Sequence, residues 1–199
     1  MSQFSVPSRA LMLALPFALI AAQAGAHTGH GIGSGFVSGF VHPVMGVDHV
    51  VAMVAVGLWA ALLDRPALWI LPVLFPVVMV VGGALGVMGV ALPAVEAGIA
   101  LSGVVLGLLV ALAVRAPVWV SALIVGVFAV FHGHAHGTEL PEAYGPYGYA
   151  AGFVVATALL HAAGMALGLF TQSSVGKTAV RGTGGAIALV GSAFLFGVA

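Results

Sequence analysis

Cysteine is absent from the 199 residues, and with it go disulfide scaffolds, thiolate zinc sites and Cys-ligated iron–sulfur clusters. Charge is scarce as well: five basic and five acidic residues make up 5% of the chain and cancel. A soluble domain carries about 25% charged residues, so the composition argues against a water-soluble globule. No basic patch is available to bind nucleic acid. The chain also lacks a G-x-x-x-x-G-K-[ST] loop and any soluble domain to hold ATP. What is present is a chain 62% apolar, with a mean hydropathy of +1.22 and eight histidines. These features describe a small all-α, polytopic membrane protein whose histidines carry the chemistry.

Residues 1–26 have the form of a cleaved signal peptide. Arg9 supplies the basic region, Leu11 to Ala22 the apolar one, and Ala24-Gly25-Ala26 a small-x-small cleavage pattern. An apolar run of this length is too short for a core of roughly 30 Å, which needs about 20 helical residues. Cleavage after Ala26 leaves residues 27–199 as the mature domain. Its new amine, His27 and His30 offer a weak metal site, and a solvated terminus explains the same residues.

Six transmembrane helices are expected in the mature chain, near 35–62, 67–91, 95–114, 117–136, 147–170 and 180–198. Helices follow because lipid cannot satisfy backbone N–H and C=O groups. Small-x-x-x-small pairs at Gly82/Gly86, Gly103/Gly107 and Gly164/Gly168 imply close helix packing. Arg65, Arg115, Lys177 and Arg181 fall after the first, third and fifth spans, whereas the alternate connections carry no cation. By the positive-inside rule, the N-terminus, the 137–146 loop and the C-terminus face outward.

Ionisable groups at membrane depth cost about 2.5–3.5 kcal/mol each on insertion scales and mark function. The first span contains His42-Pro43-Val44-Met45-Gly46-Val47-Asp48-His49. On a straight helix His42 and His49 share a face but stand roughly 10.5 Å apart, too far to ligate one ion. Pro43 and Gly46 lie between them and break or bend helices, and interrupted helices are where transporters build ion sites. Asp48 can ligate directly or orient a neighbouring imidazole. The fourth span ends FHGHAHGTEL, placing His132, His136 and Glu139 on one face, with His134 roughly opposite. His161 lies deeper, in the fifth span. His134 and His161 are candidate ligands with structural alternatives: an interfacial side chain and an interhelical hydrogen-bond donor. Asp64 and Glu142 read as loop charges, and Glu96 as a carboxylate suited to the start of a helix.

Imidazole and carboxylate without thiolate suit nickel, cobalt, zinc or copper(II). Met45, Met53 and Met165 form no Met-x-x-Met array for copper(I) and are assigned to packing. A cation drawn inward needs no ATPase subunit. A divalent ion crossing 100 mV, negative inside, gains about 4.6 kcal/mol, a concentration ratio of roughly two thousand. Ring nitrogens bind metal only when deprotonated, so uptake should weaken as pH falls toward the ordinary imidazole value of about 6.5.

The signal peptide, the six spans, HPVMGVDH in the first of them and FHGHAHGTE at the fourth resemble the HupE/UreJ family, over essentially the whole chain. The resemblance implies a bacterial inner-membrane permease for Ni²⁺, with Co²⁺ or Zn²⁺ as alternatives, serving hydrogenase or urease maturation. It implies that His42, Asp48, His49, His132 and Glu139 occupy motif positions tied to transport, with His136 in the same segment. No enzyme cofactor is expected; the ion is cargo, and a downstream metallochaperone or metalloenzyme would receive it. The rival from another class is an intramembrane zinc-dependent hydrolase, disfavoured by the lack of H-E-x-x-H. A metal sensor or chaperone is a third reading, and the absence of a sizeable soluble domain counts against it.

Overall fold

A computed structural model describes residues 32–139 and 146–198. The expected signal peptide, His27, His30 and Glu142 lie outside the described residues. Every apolar run expected to form a helix does so. Among the described residues the α-helices are α1 (Ile32–Met45), α2 (Val47–Leu63), α3 (Ala67–Val87), α4 (Val95–Ala111), α5 (Val118–Thr138), α6 (Pro146–Gly168) and α7 (Ser174–Leu195). No strand occurs among the described residues.

The first expected span is two helices. α1 and α2 meet at 82°, and Gly46, with an extended backbone, separates them. Pro43 stays within α1, so the glycine makes the break. α3, α5, α6 and α7 are each long and apolar enough to cross a membrane, and the bent pair qualifies as a fifth span. α4 is apolar but has 17 residues, fewer than the roughly 20 that a bilayer core requires. The chain is thus a multi-pass membrane protein, with four or five candidate spans among the described residues.

The last helix begins at Ser174 instead of near 180, which puts Lys177 and Arg181 inside α7 rather than in a loop. Ser173 caps this helix by accepting from the Gly176 N–H at 3.0 Å. A helix therefore starts at its capping signal, ahead of the apolar run that hydropathy detects.

Glycines set the helix spacing. Gly82 and Gly86 of α3 lie on the backbone of α5, while Gly133 and Gly137 of α5 lie on the backbone of α3. Gly103 and Gly107 face Gly184, Ala188 and Gly191 of α7, and Gly164 faces Gly57 of α2. All three expected small-residue pairs sit at helix contacts, as packing without a hydrophobic drive requires.

The two ends of the bundle differ. At the basic end, Trp59 Nε1 donates to the Val114 carbonyl at 2.9 Å, and Arg181 Nε donates to the Ala111 carbonyl at 2.8 Å. Arg115 and Asp64 pair there at 3.6 Å, both largely exposed. Above these ties Leu58, Trp59, Leu71, Leu106 and Val110 are fully buried and fill the interior. The opposite end carries Glu96, Glu139 and an open cleft.

Candidate metal centre

The cleft has a volume of about 550 Å³ and is lined by residues from both sides of the α1–α2 break, from the start of α4 and from the end of α5. The break decides its chemistry. Gly46 turns the chain so that His42, late in α1, and His49, in the first turn of α2, approach one ring from different directions. That ring is His136: its Nδ1 lies 3.1 Å from His42 Nε2, and its Nε2 lies 3.3 Å from His49 Nδ1. One helical turn earlier on α5, His132 Nδ1 lies 3.0 Å from His49 Nδ1. At the mouth, His42 Nε2 stands 3.7 Å from the Glu139 carboxylate.

Two overlapping groups result. His49, His132 and His136 form a mostly buried triad, and His42, His136 and Glu139 form a more exposed one; within each, the ligand atoms lie within 4.8 Å of one another. Nitrogens bound to one ion at about 2.1 Å stand about 3.0 Å apart at a right angle and about 3.4 Å apart at the tetrahedral angle. The spacings from His49 to His132 and to His136 fall in that interval. His136 belongs to both groups, one nitrogen in each, and so links the mouth to the interior.

Hydrogen bonding selects the tautomer of His132. Ser102 Oγ donates to the Ile99 carbonyl at 2.6 Å, which commits its only proton. At its 2.8 Å contact with His132 Nε2, the serine oxygen must therefore accept from the ring N–H. Nδ1 is then the lone pair, and it faces His49. This is the carbonyl–hydroxyl–imidazole support that orients metal-binding histidines. The Phe153 ring backs the group, with its centroid 4.4 Å from that of His136 and 5.3 Å from that of His49.

The remaining candidates are placed differently. Asp48 lines the cleft in the first turn of α2 but does not join either converging group. His134 points away: its Nε2 donates to the Val90 carbonyl at 2.7 Å, tying α5 to the α3–α4 connection. His161 is fully buried, and the Phe75 ring packs beside both it and His132.

Sequence reading missed three contributors. Glu96 lies at the start of α4, where the helix dipole suits it, and also lines the cleft. Its position at the acidic end of a span was the available signal. Ser102 and Phe75 gave none, because their roles arise only when α4 and α3 pack beside α5.

A model of the HupE / UreJ protein family matches residues 14–194. Protein HupE of Rhizobium leguminosarum bv. viciae is 50% identical over 156 residues, 78% of this chain and 82% of the relative. No solved structure matches the chain. These likenesses set aside the hydrolase reading. The chain belongs to the HupE/UreJ family, a family of membrane accessory and permease proteins rather than enzymes.

Proposed function

We propose that this protein is a secondary permease that carries Ni²⁺ into the cytoplasm, with Co²⁺ and Zn²⁺ as competing cargoes, to supply hydrogenase or urease maturation. In this reading the chain sits in a bacterial inner membrane as six spans behind a cleaved signal peptide. The cleft and both termini face the periplasm, and the basic end faces the cytoplasm, following the positive-inside rule. The short α4 is then the sixth crossing, with its start at the cleft.

The observation that carries the proposal is the position of His136, whose two nitrogens join an exposed ligand group to a buried one. A resident metal site is closed around its ion, whereas a path needs successive, incomplete sites that bind moderately and release. Glu139, Glu96 and Asp48 concentrate cations at the mouth. His42 and His136 replace the first hydration waters, and His49 and His132 receive the ion as it moves inward. Borderline imidazole nitrogen favours nickel, cobalt and zinc over the harder magnesium and calcium. The interior beyond the triad is closed by buried side chains, most of them apolar, as suits an outward-open state of an alternating-access carrier.

The test is accumulation of radioactive nickel in cells that lack their own nickel importers. Cells expressing the parent should accumulate the ion, and cells with His49→Ala at matched membrane levels should not. Competition by cobalt or zinc then ranks the cargoes. A correctly inserted parent that accumulates no more nickel than empty cells would sink the proposal.

A further inference from the structure

Toward the basic end from the triad, the bundle holds a second set of unspent ligand atoms. His161 is 0% exposed, and neither ring nitrogen has a hydrogen-bond partner. Among the described residues no other side chain leaves two buried polar atoms unpaired. Thr157 stands one turn earlier on the same face of α6, also 0% exposed and with its Oγ1 unpartnered. Unsatisfied buried donors and acceptors are costly, and native proteins keep few of them without a reason.

A backbone oxygen joins this pair. Pro76 has no N–H, so the Pro72 carbonyl four residues earlier in α3 loses its helical partner. That carbonyl lies beside the His161 imidazole, although no well-formed hydrogen bond joins them. The His161 imidazole, the Thr157 hydroxyl one turn nearer the cleft and the Pro72 carbonyl thus lie buried along the contact between α6 and α3.

Position gives the cluster a role. The Phe75 ring touches His132, with centroids 5.7 Å apart, and touches His161, with centroids 5.4 Å apart. His132 is six residues from the cleft end of α5 and His161 seven from the basic end of α6. At 1.5 Å per residue, each is roughly 10 Å from its own end of the bundle. Thr157 is one turn nearer the cleft than His161, so an ion leaving the triad inward passes Thr157 and the Phe75 ring and meets His161 next.

We infer that His161, buried beside the Phe75 ring and reached past Thr157, forms a second, transient station for the transported divalent cation, on the inward side of the triad. The inference rests on the permease reading. A neutral set without a carboxylate holds a divalent ion weakly, which favours onward release over retention.

His161→Leu is the informative variant. It fills a similar volume and removes the unpaired polar atoms, so its fold should be at least as stable as the parent's. Purified parent and variant are compared for melting temperature, for equilibrium Ni²⁺ binding in detergent, and for Ni²⁺ influx in proteoliposomes with an inside-negative potential. The expected result is an unchanged or raised melting temperature, binding within about twofold of the parent and influx at least tenfold lower. Thr157→Val should lower influx severalfold. Influx by His161→Leu within twofold of the parent would overturn the inference while leaving the permease reading intact. A lower melting temperature in that variant would also overturn it, by assigning the imidazole a structural bond. A parent without influx would instead remove the permease reading, and this inference with it.

Discussion

The Nδ1 atoms of His49 and His132 face each other across 3.0 Å. Two lone pairs cannot sit at that distance without something between them to attract both. Ser102 occupies the Nε2 proton of His132, so in the metal-free protein His49 supplies a proton to the shared space. For a divalent cation to take its place, that proton would have to leave for His49 Nε2, a buried atom with no protein partner. His136 Nε2, 3.3 Å from His49 Nδ1, completes a three-nitrogen set. In the proposed transport cycle, metal entry would then require a tautomer change at His49 and a small ring adjustment.

The neighbouring histidines His134 and His136 should respond oppositely to substitution. His136→Ala removes the ligand common to both groups and should reduce nickel accumulation to the level of empty cells. His134→Ala loses one hydrogen bond to the Val90 carbonyl, worth about 1 kcal/mol, and should retain most of the uptake. Uptake at matched membrane levels checks the pair. Equal losses in both variants would contradict the assigned geometry.

Ser102 should matter to metal affinity without touching metal. Ser102→Ala leaves the Nε2–H of His132 buried and unpartnered, and the ring is free to take the other tautomer. Loss of such an outer partner weakens metal binding about 10–100-fold. Ser102→Thr keeps the hydroxyl and should recover part of the loss. Titration of the purified proteins with Ni²⁺ against a chromophoric chelator reads both effects.

Packing between α3 and α5 should be intolerant of a single methyl group. A Cβ at Gly133 would collide with the Met79 carbonyl, whereas one at Gly126 meets nothing within 4 Å. Gly133→Ala should cost about 1–3 kcal/mol through overpacking and lower the melting temperature in detergent, while Gly126→Ala should leave it unchanged. The same collision would displace His132 and His136, so reduced nickel binding should accompany the lower melting temperature.

Much of this arrangement is legible in the chain. Helices at the expected runs follow from hydropathy, and the interruption of the first follows from Pro43 and Gly46 standing between His42 and His49. Which of the two breaks the helix was not readable, because proline is tolerated inside membrane helices where neighbours restore the lost bonds. His132 and His136 share a face by spacing alone, and His134 is directed elsewhere by the same periodicity. Hidden from sequence reading were the contributions of α3 and α4. Ser102 is an ordinary serine until its helix packs beside α5, and Phe75 is an ordinary core aromatic until histidines flank it. The start of α7 was misplaced because its signal is a cap at Ser173, which hydropathy does not weigh.

The central claim is that His136 passes a divalent cation from the exposed ligand group to the buried one. Its most direct test is influx of radioactive Ni²⁺ into proteoliposomes carrying purified protein, under an imposed inside-negative potential. The parent should show influx that grows with the potential, and His136→Ala should be no faster than protein-free vesicles. Parent vesicles that take up no more Ni²⁺ than protein-free vesicles, or His136→Ala vesicles as fast as the parent, would contradict the account.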